Sequence, residues 1–383
     1  MQFEFATAAR ILFGPGKVRE IAPMARQSGR RVMVITGRSR SRSALLEAQL
    51  LAQQMECSFF TVSGEPTTDL VISGVRQARE FGAEVVIGFG GGSVIDAGKA
   101  IAGLATNAGD LFDYLEVIGG GRSLEHPGLP YIAAATTSGP GTEVTRNAVL
   151  ASPAHRVKVS LRSPFLLPKV AVVDPELALE MPPEITAATG LDALTQLIEP
   201  YLSVRANHMT DLVCLAGIGR VANSQRQAFY HGSELAARTD MALASLFGGL
   251  ALANAGLGAV HGFAGPIGGM FPAPHGAVCA ALLPSAMEVN LRALQQRGDS
   301  AKLQRFGDIA KALLKRDNAT PGEGIQWLRT LIQELRIPML GHYGISKGDV
   351  PLLCEKATVA SSMKGNPISL QPNELQEILE KAL

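Results

Sequence analysis

The chain has 383 residues, which is too long for one compact core and predicts two domains. Hydrophobic residues make up 46% and charged residues 18%, and the formal net charge of +1 comes without the clustered Lys and Arg that a nucleic-acid-binding surface needs. Four widely spaced cysteines and an N-terminus without the pattern of a signal peptide predict a reduced, cytoplasmic protein.

Up to about residue 180, short apolar runs alternate with stretches of helical periodicity. The runs predicted as strands are 31–37, 57–64, 83–92, 130–137 and 169–175. The segments 43–55 and 70–82 between them have the period of helices. This alternation predicts a parallel sheet covered by helices, with its functional edge at the carboxyl ends of the strands.

A glycine-rich turn, "VVIGFGGGSVIDAGKA", follows the third predicted strand. Its glycines let the backbone approach a ligand closely, and the S-x-x-D pattern predicts a capping box that starts a helix at the turn. Free N–H groups and the helix dipole favour a phosphate there, although a turn without a ligand is the alternative interpretation. Lys99 is expected to be a solvated helix residue. The residues assigned to the phosphate site are Gly90, Gly91, Gly92, Ser93 and Asp96.

A second turn, "AAATTSGPGTEVT" at 133–145, carries two hydroxyls and two glycines at the end of a predicted strand. By itself it is equally well interpreted as a polar loop in which Thr142 caps a helix. Beside the first turn, it is interpreted as the other wall of one dinucleotide-binding groove.

After Pro182 and Pro183 the pattern becomes helical to the end of the chain, so the second half is predicted to be all-α. The predicted helices include 205–222, 234–256, 298–315, 322–335 and 372–382. The domains are therefore predicted as 1–178, which binds the dinucleotide, and 179–383, which holds the metal and the substrate. The uncharged stretch 241–260 is long enough to span a bilayer, but its small residues favour a buried core helix, so no membrane association is expected.

Three residues of the second half suggest a metal site. Asp192 lies among apolar residues in "GLDALTQLIEPY", where an ionised carboxylate is costly without a partner, and Gln196 follows one helical turn later. His261 and His275 lie fourteen residues apart, each followed by Gly. A carboxylate and two imidazoles suit Zn²⁺ or Fe²⁺ and leave a coordination position open for a substrate.

Several motifs in order carry a family resemblance over nearly the whole chain. They are "FGPG", "GGGSVIDAGKA", "TTSGPGTEVT", Lys158 in "HRVKVS", "VVDPEL", "GLDAL" and the two histidines. With them the chain resembles the iron-containing alcohol dehydrogenases. The resemblance implies an N-terminal Rossmann-like α/β domain, an all-α C-terminal domain, an architecture shared with dehydroquinate synthase, a divalent metal, and a homodimer or larger assembly.

The resemblance also implies site residues. The family's metal ligands are Asp, a His four residues later and two further His, which match Asp192, His261 and His275, while Gln196 stands in place of the first His. The related glycerol dehydrogenases hold zinc with one Asp and two His. Gly265 replaces a further family His near the nicotinamide and substrate. Along the cofactor, the resemblance assigns Thr136, Thr137 and Lys158.

The residue at the end of the first predicted strand bears on the choice between NAD(H) and NADP(H). NAD-preferring members commonly carry Asp where this chain has Gly37, in "VITGRSRS". Gly37 and Ser39, with Arg38 or Arg40 within reach, favour a 2′-phosphate and hence NADP(H). An ordinary solvated loop is the alternative.

The predicted function is metal-dependent, NAD(P)-linked hydride transfer between a small alcohol and its aldehyde or ketone. The predicted catalytic residues are Asp192, His261 and His275. Gln196 is predicted to be either a weak fourth ligand or a hydrogen-bond partner of metal-bound water. Two alternatives stay open: a lyase or cyclase of the dehydroquinate synthase type, and a cofactor-binding protein that has lost catalysis.

Overall fold

The computed structural model describes residues 2–298 and 300–383, and the chain divides into two compact units. The first, called the α/β unit here, comprises Thr7–Thr137 and Gly141–Leu179. The second, called the helical unit, comprises Glu180–Leu383, Ser138–Pro140 and the N-terminal residues as far as Ala6. The assignment of cofactor binding to 1–178 and of metal binding to 179–383 stays a prediction.

The α/β unit contains a six-stranded parallel sheet in the order β1-β8-β5-β4-β2-β3. Its strands are β1 (Ile11–Phe13), β2 (Arg31–Thr36), β3 (Glu56–Thr61), β4 (Val85–Gly90), β5 (Tyr131–Ala135) and β8 (Val170–Val173). The helices between them are α1 (Ile21–Arg26), α2 (Ala44–Ala52), α3 (Thr68–Phe81), α4 (Gly92–Ala105) and α5 (Leu111–Tyr114). Five of the six strands coincide with predicted ones; the three-residue β1 was not predicted.

Alternate residues of the central strands fill two separate cores, one on each face of the sheet. In β2, Met33 and Ile35 belong to the core that includes residues of α3 and α4, while Val32 and Val34 belong to the core that includes residues of α1 and α2. A strand that is buried on both faces is apolar throughout, because successive side chains point to opposite sides.

The order of the strands reverses between β2 and β4. From β2 the chain continues outward to β3 and then returns to β4 on the other side of β2. In open α/β sheets, ligands bind outside the carboxyl ends of the strands at such a switch point. Gly37 follows β2 and Gly91 follows β4, so both glycines lie at this position.

The α/β unit also contains an antiparallel ribbon of β6 (Asn147–Ser152) and β7 (Val157–Arg162). This ribbon was not predicted. Its strands alternate between buried and partly exposed residues, and the connection Pro153–Arg156 lacks the Asn-Gly or Asp-Gly pair that identifies a tight hairpin.

The helical unit has no strand among its described residues, which confirms the predicted all-α second half. Its helices are α6 (Pro183–Leu202), α7 (His208–Tyr230), α8 (Leu235–Ala255), α9 (Ala259–Met270), α10 (His275–Arg297), α11 (Ser300–Leu314), α12 (Pro321–Glu334), α13 (Val350–Val359) and α14 (Pro372–Glu380). One continuous hydrophobic core contains residues from all of these helices.

Among the described residues, two helices, α8 and α10, are long and apolar enough to cross a bilayer. In their most apolar windows, 61% and 83% of the residues are buried inside the protein, as expected of core helices. The uncharged stretch 241–260 is not one helix, since α8 ends at Ala255 and α9 begins at Ala259.

Candidate active site

Helix α6 carries three polar side chains on one buried face. Asp192, Gln196 and Glu199 follow one another at spacings of four and three residues, and each is at most 7% exposed. The other buried positions of α6 are largely apolar. Burial of polar groups in such a row is costly unless they share partners or an ion.

Helices α9 and α10 bring the two histidines to this face. His261 lies in the first turn of α9, and His275 is the first residue of α10. The next residue, Gly276, permits the close approach of α10, since a Cβ there would lie 2.3 Å from the carbonyl oxygen of Ala188 in α6. A side chain at this position would therefore push His275 away from Asp192.

The predicted ligands converge, and a cysteine joins them. The Nε2 atoms of His261 and His275 lie 3.4 Å and 3.8 Å from Asp192 Oδ1. Cys279 Sγ lies 3.7 Å from each of these two nitrogens. One donor atom from each of the four residues lies within 4.8 Å of all the others. Three of the residues are buried, whereas the His275 side chain is 35% exposed, so the cluster opens to solvent on that side.

The charges of this cluster are strongly coupled. Burial raises the pKa of Asp192, but the imidazoles, His275 first, outweigh burial and lower it. Burial lowers the pKa of His261, yet the groups around it, Cys279 first, raise it well above its ordinary value. Cys279 likewise raises the pKa of His275. Metal ligands must be deprotonated, so a cation that binds here displaces protons from the imidazoles, and its affinity falls as the pH falls.

Two oxygen atoms identify the space that a cation would fill. Asp192 Oδ1 and Gln196 Oε1 are buried and have no hydrogen-bond partner among the described residues. Buried polar atoms are almost always satisfied by protein, water or an ion. An unpartnered carboxylate oxygen surrounded by two imidazoles and a thiol fits a divalent metal.

Glu199 orients the metal-facing histidine. Its Oε2 atom lies 2.6 Å from Nδ1 of His261, and its Oε1 atom accepts the backbone N–H of Val260 at 2.7 Å. Because a carboxylate only accepts, Nδ1 of His261 carries the proton and Nε2 faces the cluster. A carboxylate–histidine–metal arrangement of this kind fixes the ring and raises its basicity as a ligand.

Replacing Glu199 by Gln is therefore expected to weaken metal binding. The amide can still accept from Nδ1, but it loses the negative charge, and outer-shell changes of this kind cost about 10- to 100-fold in metal affinity. Competition with a chelator measures the affinity, and Glu184→Gln, an exposed position at the start of the same helix, is the matched control. Equal affinities of the two variants would contradict the assigned role.

Several of the predicted cofactor residues lie at one edge of the sheet. Gly37, Gly91 and Thr136 directly follow three adjacent strands, β2, β4 and β5. Thr137 also approaches the glycine turn, since a Cβ on Gly91 would lie 3.3 Å from its Cγ2 atom. Helix α4 begins at Gly92, where the first N–H groups have no acceptor within the helix. This geometry suits a phosphate.

The predicted capping box is wrong. The N-cap residue of α4 is Gly91, and no side chain caps the helix. Asp96 instead points to the loop after β5: its Oδ1 accepts from the Thr142 hydroxyl, and its Oδ2 accepts the backbone N–H of Val149 at 3.1 Å. Thr142 is thus a partner of Asp96 rather than the cap of a helix.

The prediction that Lys99 is solvated is also wrong. Its side chain is fully buried, and Nζ lies 2.9 Å from Asp96 Oδ1. Nζ also donates to the carbonyl oxygen of Thr142 at 2.9 Å, to the hydroxyl of Thr145 at 2.9 Å and to the carbonyl oxygen of Asn147. Helix α4 is buried almost all round, so the ammonium has to be satisfied by protein groups, which are Asp96 of the same helix and the segment 142–147.

The remaining predicted cofactor residues have protein contacts too. Lys158 Nζ pairs with Glu65 Oε1 at 3.0 Å, and the Ser39 hydroxyl lies 2.8 Å from that of Ser41. Arg40 pairs with Glu47 and stacks on Phe59, whereas Arg38 is exposed. A Cβ on Gly37 would meet no atom within 4 Å.

Two residues of the metal cluster, Cys279 and Glu199, were missed from the sequence. Cys279 follows His275 by one helical turn, and Glu199 follows Asp192 by two, so helical spacing would have placed each beside its neighbour. Gly265 lies one turn after His261, and a Cβ there would meet no atom within 4 Å, so the structure leaves space at this position.

Both parts of the chain are similar to known proteins. Residues 8–175 match the family described as iron-containing alcohol dehydrogenase, and residues 186–383 match the C-terminal domain of the Fe-containing alcohol dehydrogenase family. Alcohol dehydrogenase 4 of Saccharomyces cerevisiae is 35% identical over 318 residues, which are 83% of this chain and 80% of the relative.

Solved structures show the same fold over the full length. A 1,3-propanediol oxidoreductase has a TM-score of 0.93 and 31% identity and covers 100% of both chains. Sulfoacetaldehyde reductase from Bifidobacterium kashiwanohense, solved with NAD⁺, has a TM-score of 0.88 and 25% identity and covers 100% of this chain and 99% of its own.

Proposed function

Because the chain belongs to the iron-containing alcohol dehydrogenase family and is an oxidoreductase of that family, we propose that it interconverts a small alcohol and its aldehyde or ketone with NADP(H) or NAD(H). The observation that carries this proposal is the convergence of Asp192, His261 and His275 around an unpartnered carboxylate oxygen. The reaction is transfer of a hydride between C4 of the nicotinamide and the carbon of the substrate that bears oxygen.

In this proposal Asp192, His261 and His275 hold one divalent ion, Fe²⁺ or Zn²⁺, with the oxygen of Gln196 close to it. When bound, such an ion acts as a Lewis acid toward a carbonyl oxygen. Asp192 supplies the negative charge that retains the cation, and Glu199 keeps Nε2 of His261 directed at the cluster. The exposed side of His275 leaves an approach for a small substrate.

The cofactor is proposed to bind at the carboxyl edge of the sheet. Gly90, Gly91, Gly92 and Ser93 would hold the pyrophosphate at the start of α4, and Thr136 and Thr137 would contact the cofactor beside it. Asp96 would contribute through the loop that it and Lys99 hold in place. Lys158 is proposed to contact the rest of the cofactor.

We favour NADP(H), because Gly37 and the exposed Arg38 leave room and positive charge for a 2′-phosphate. The Gly37→Asp variant should reverse this preference, since its carboxylate repels the phosphate and accepts from ribose hydroxyls. A Cβ at this position would meet no atom within 4 Å. We expect the ratio of kcat/KM for NADPH to that for NADH to fall roughly 10- to 100-fold, the effect of about 1.4 to 2.8 kcal/mol. Gly37→Ser is the uncharged control, and an unchanged ratio in Gly37→Asp would contradict this site.

Small aliphatic alcohols and aldehydes are the proposed substrates, in line with the names of the relatives, alcohol dehydrogenase 4 and 1,3-propanediol oxidoreductase. Membership of this family also favours a homodimer in the cytoplasm, and both remain predictions. No nucleic acid or membrane partner is proposed.

Net oxidation of NADPH or NADH by a panel of short aldehydes tests the proposal. Stoichiometric consumption of reduced cofactor and formation of alcohol are expected. A lyase or cyclase would use the cofactor only transiently, and a protein without catalysis would bind it without turnover, so the absence of net oxidation with every metal and aldehyde would contradict the proposal.

A further inference from the structure

Cys279 belongs to the metal cluster, although the sequence analysis did not predict it as a ligand. It lies one turn after His275 on α10 and is fully buried. Its sulfur lies 3.7 Å from Nε2 of His261 and 3.7 Å from Nε2 of His275. The same two nitrogens are the atoms that face Asp192, so the sulfur points into the space that those donors surround.

A second observation, at Asp192, points to a cation in this space. Asp192 Oδ1 is buried without a hydrogen bond, although the imidazoles stand next to it. Buried polar atoms are almost always satisfied by protein, water or an ion, and the sulfur of Cys279 faces the same space as this oxygen. A cation in contact with both the oxygen and the sulfur satisfies them together.

We propose that Cys279, as a thiolate, is the fourth protein ligand of the metal. It takes the place in the ligand set that the sequence analysis gave to Gln196. The proposal rests on the proposed function, because it assumes a divalent ion between Asp192, His261 and His275. An amide oxygen is a weak ligand for a transition metal, whereas a thiolate is a strong one. Asp192, His261, His275 and Cys279 then form the ligand set.

A thiolate changes which metal the site prefers. Soft sulfur ligands favour zinc over ions that prefer oxygen and nitrogen, and zinc with mixed Cys and His ligands is common in catalytic sites. Zinc also accepts a fifth ligand during catalysis, so four protein ligands are compatible with substrate entry. The structure therefore points to Zn²⁺ rather than Fe²⁺ as the resident ion of this chain.

Cobalt spectroscopy tests the ligand assignment without relying on activity. Metal-stripped protein is titrated with Co²⁺, and a thiolate-to-cobalt charge-transfer band in the near ultraviolet is expected at one Co²⁺ per chain. The Cys279→Ser variant should lose the band and bind Co²⁺ at least about tenfold more weakly. Cys214→Ser, at another buried cysteine of the helical unit, should keep it, as should Gln196→Leu.

X-ray absorption of the zinc-loaded wild type gives a readout that does not depend on any variant folding. One sulfur at about 2.3 Å from zinc is expected. Binding of one ion per chain with nitrogen and oxygen neighbours only, and no charge-transfer band, would overturn the role of Cys279 while leaving the proposed function intact. If neither Co²⁺ nor Zn²⁺ binds to the protein, the proposed function is overturned as well.

Discussion

The Asp192→Asn variant is expected to lose metal binding and, with it, turnover. Asp192 is the one carboxylate among the four clustered donors, and its Oδ1 atom lies within 4 Å of both imidazole nitrogens. Asn keeps the shape of the side chain but removes the charge that offsets the cation. Outer-shell changes already cost 10- to 100-fold, so loss of this direct ligand should lower metal affinity by at least about 100-fold.

The measurement is the metal content after dialysis, together with kcat/KM at a fixed low concentration of free metal. A high concentration of metal should restore part of the activity, because the other donors are intact. Glu184→Gln, exposed on the same helix, should retain full metal content and activity. Wild-type turnover by metal-free Asp192→Asn would show that this cluster is not the catalytic centre.

The Lys99→Met variant is expected to show the largest loss of stability. The ammonium is fully buried, pairs with Asp96 and holds the backbone at Thr142 and Asn147. Met fills a similar volume but leaves the Asp96 carboxylate with no cation beside it. Removal of one partner of a buried ion pair costs about 3 to 5 kcal/mol. For a unit of this size, that should lower the midpoint of thermal unfolding by roughly 6 to 20 °C.

Two further variants separate the ion pair from a general effect of the substitution. Lys169→Met removes an exposed lysine of the same unit and should shift the midpoint by no more than about 2 °C. Adding Asp96→Asn to Lys99→Met should recover part of the loss, because the uncompensated charge is then removed. Equal midpoints for Lys99→Met and Lys169→Met would contradict the structural role.

Periodicity and turn chemistry predicted the larger elements of this fold. The strands β2, β4 and β5 are apolar runs that end in glycine or threonine or are directly followed by threonine. The change to helical periodicity after Pro183 was readable directly. Short or partly exposed elements were missed. The three residues of β1 are too few to show a pattern, and the β6–β7 ribbon has neither continuous apolar runs nor a recognisable turn.

The site was predictable only in part, because its chemistry depends on how helices pack. Asp192, His261 and His275 stood out as polar residues in apolar or glycine-rich surroundings, and the structure brings them together. Cys279 and Glu199 look like ordinary core and helix residues until α6, α9 and α10 meet. The burial of Lys99 likewise depends on the loop after β5, whose path local sequence does not determine.

We expect hydride transfer to require one divalent ion in the cluster of Asp192, His261, His275 and Cys279. The most direct measurement is oxidation of NADPH with a short aldehyde while metal-stripped protein is titrated with Zn²⁺ or Fe²⁺. Activity is expected to rise from zero and to saturate at one ion per chain. Full activity of the metal-stripped protein, or no activity at any metal concentration while NADPH still binds, would contradict it.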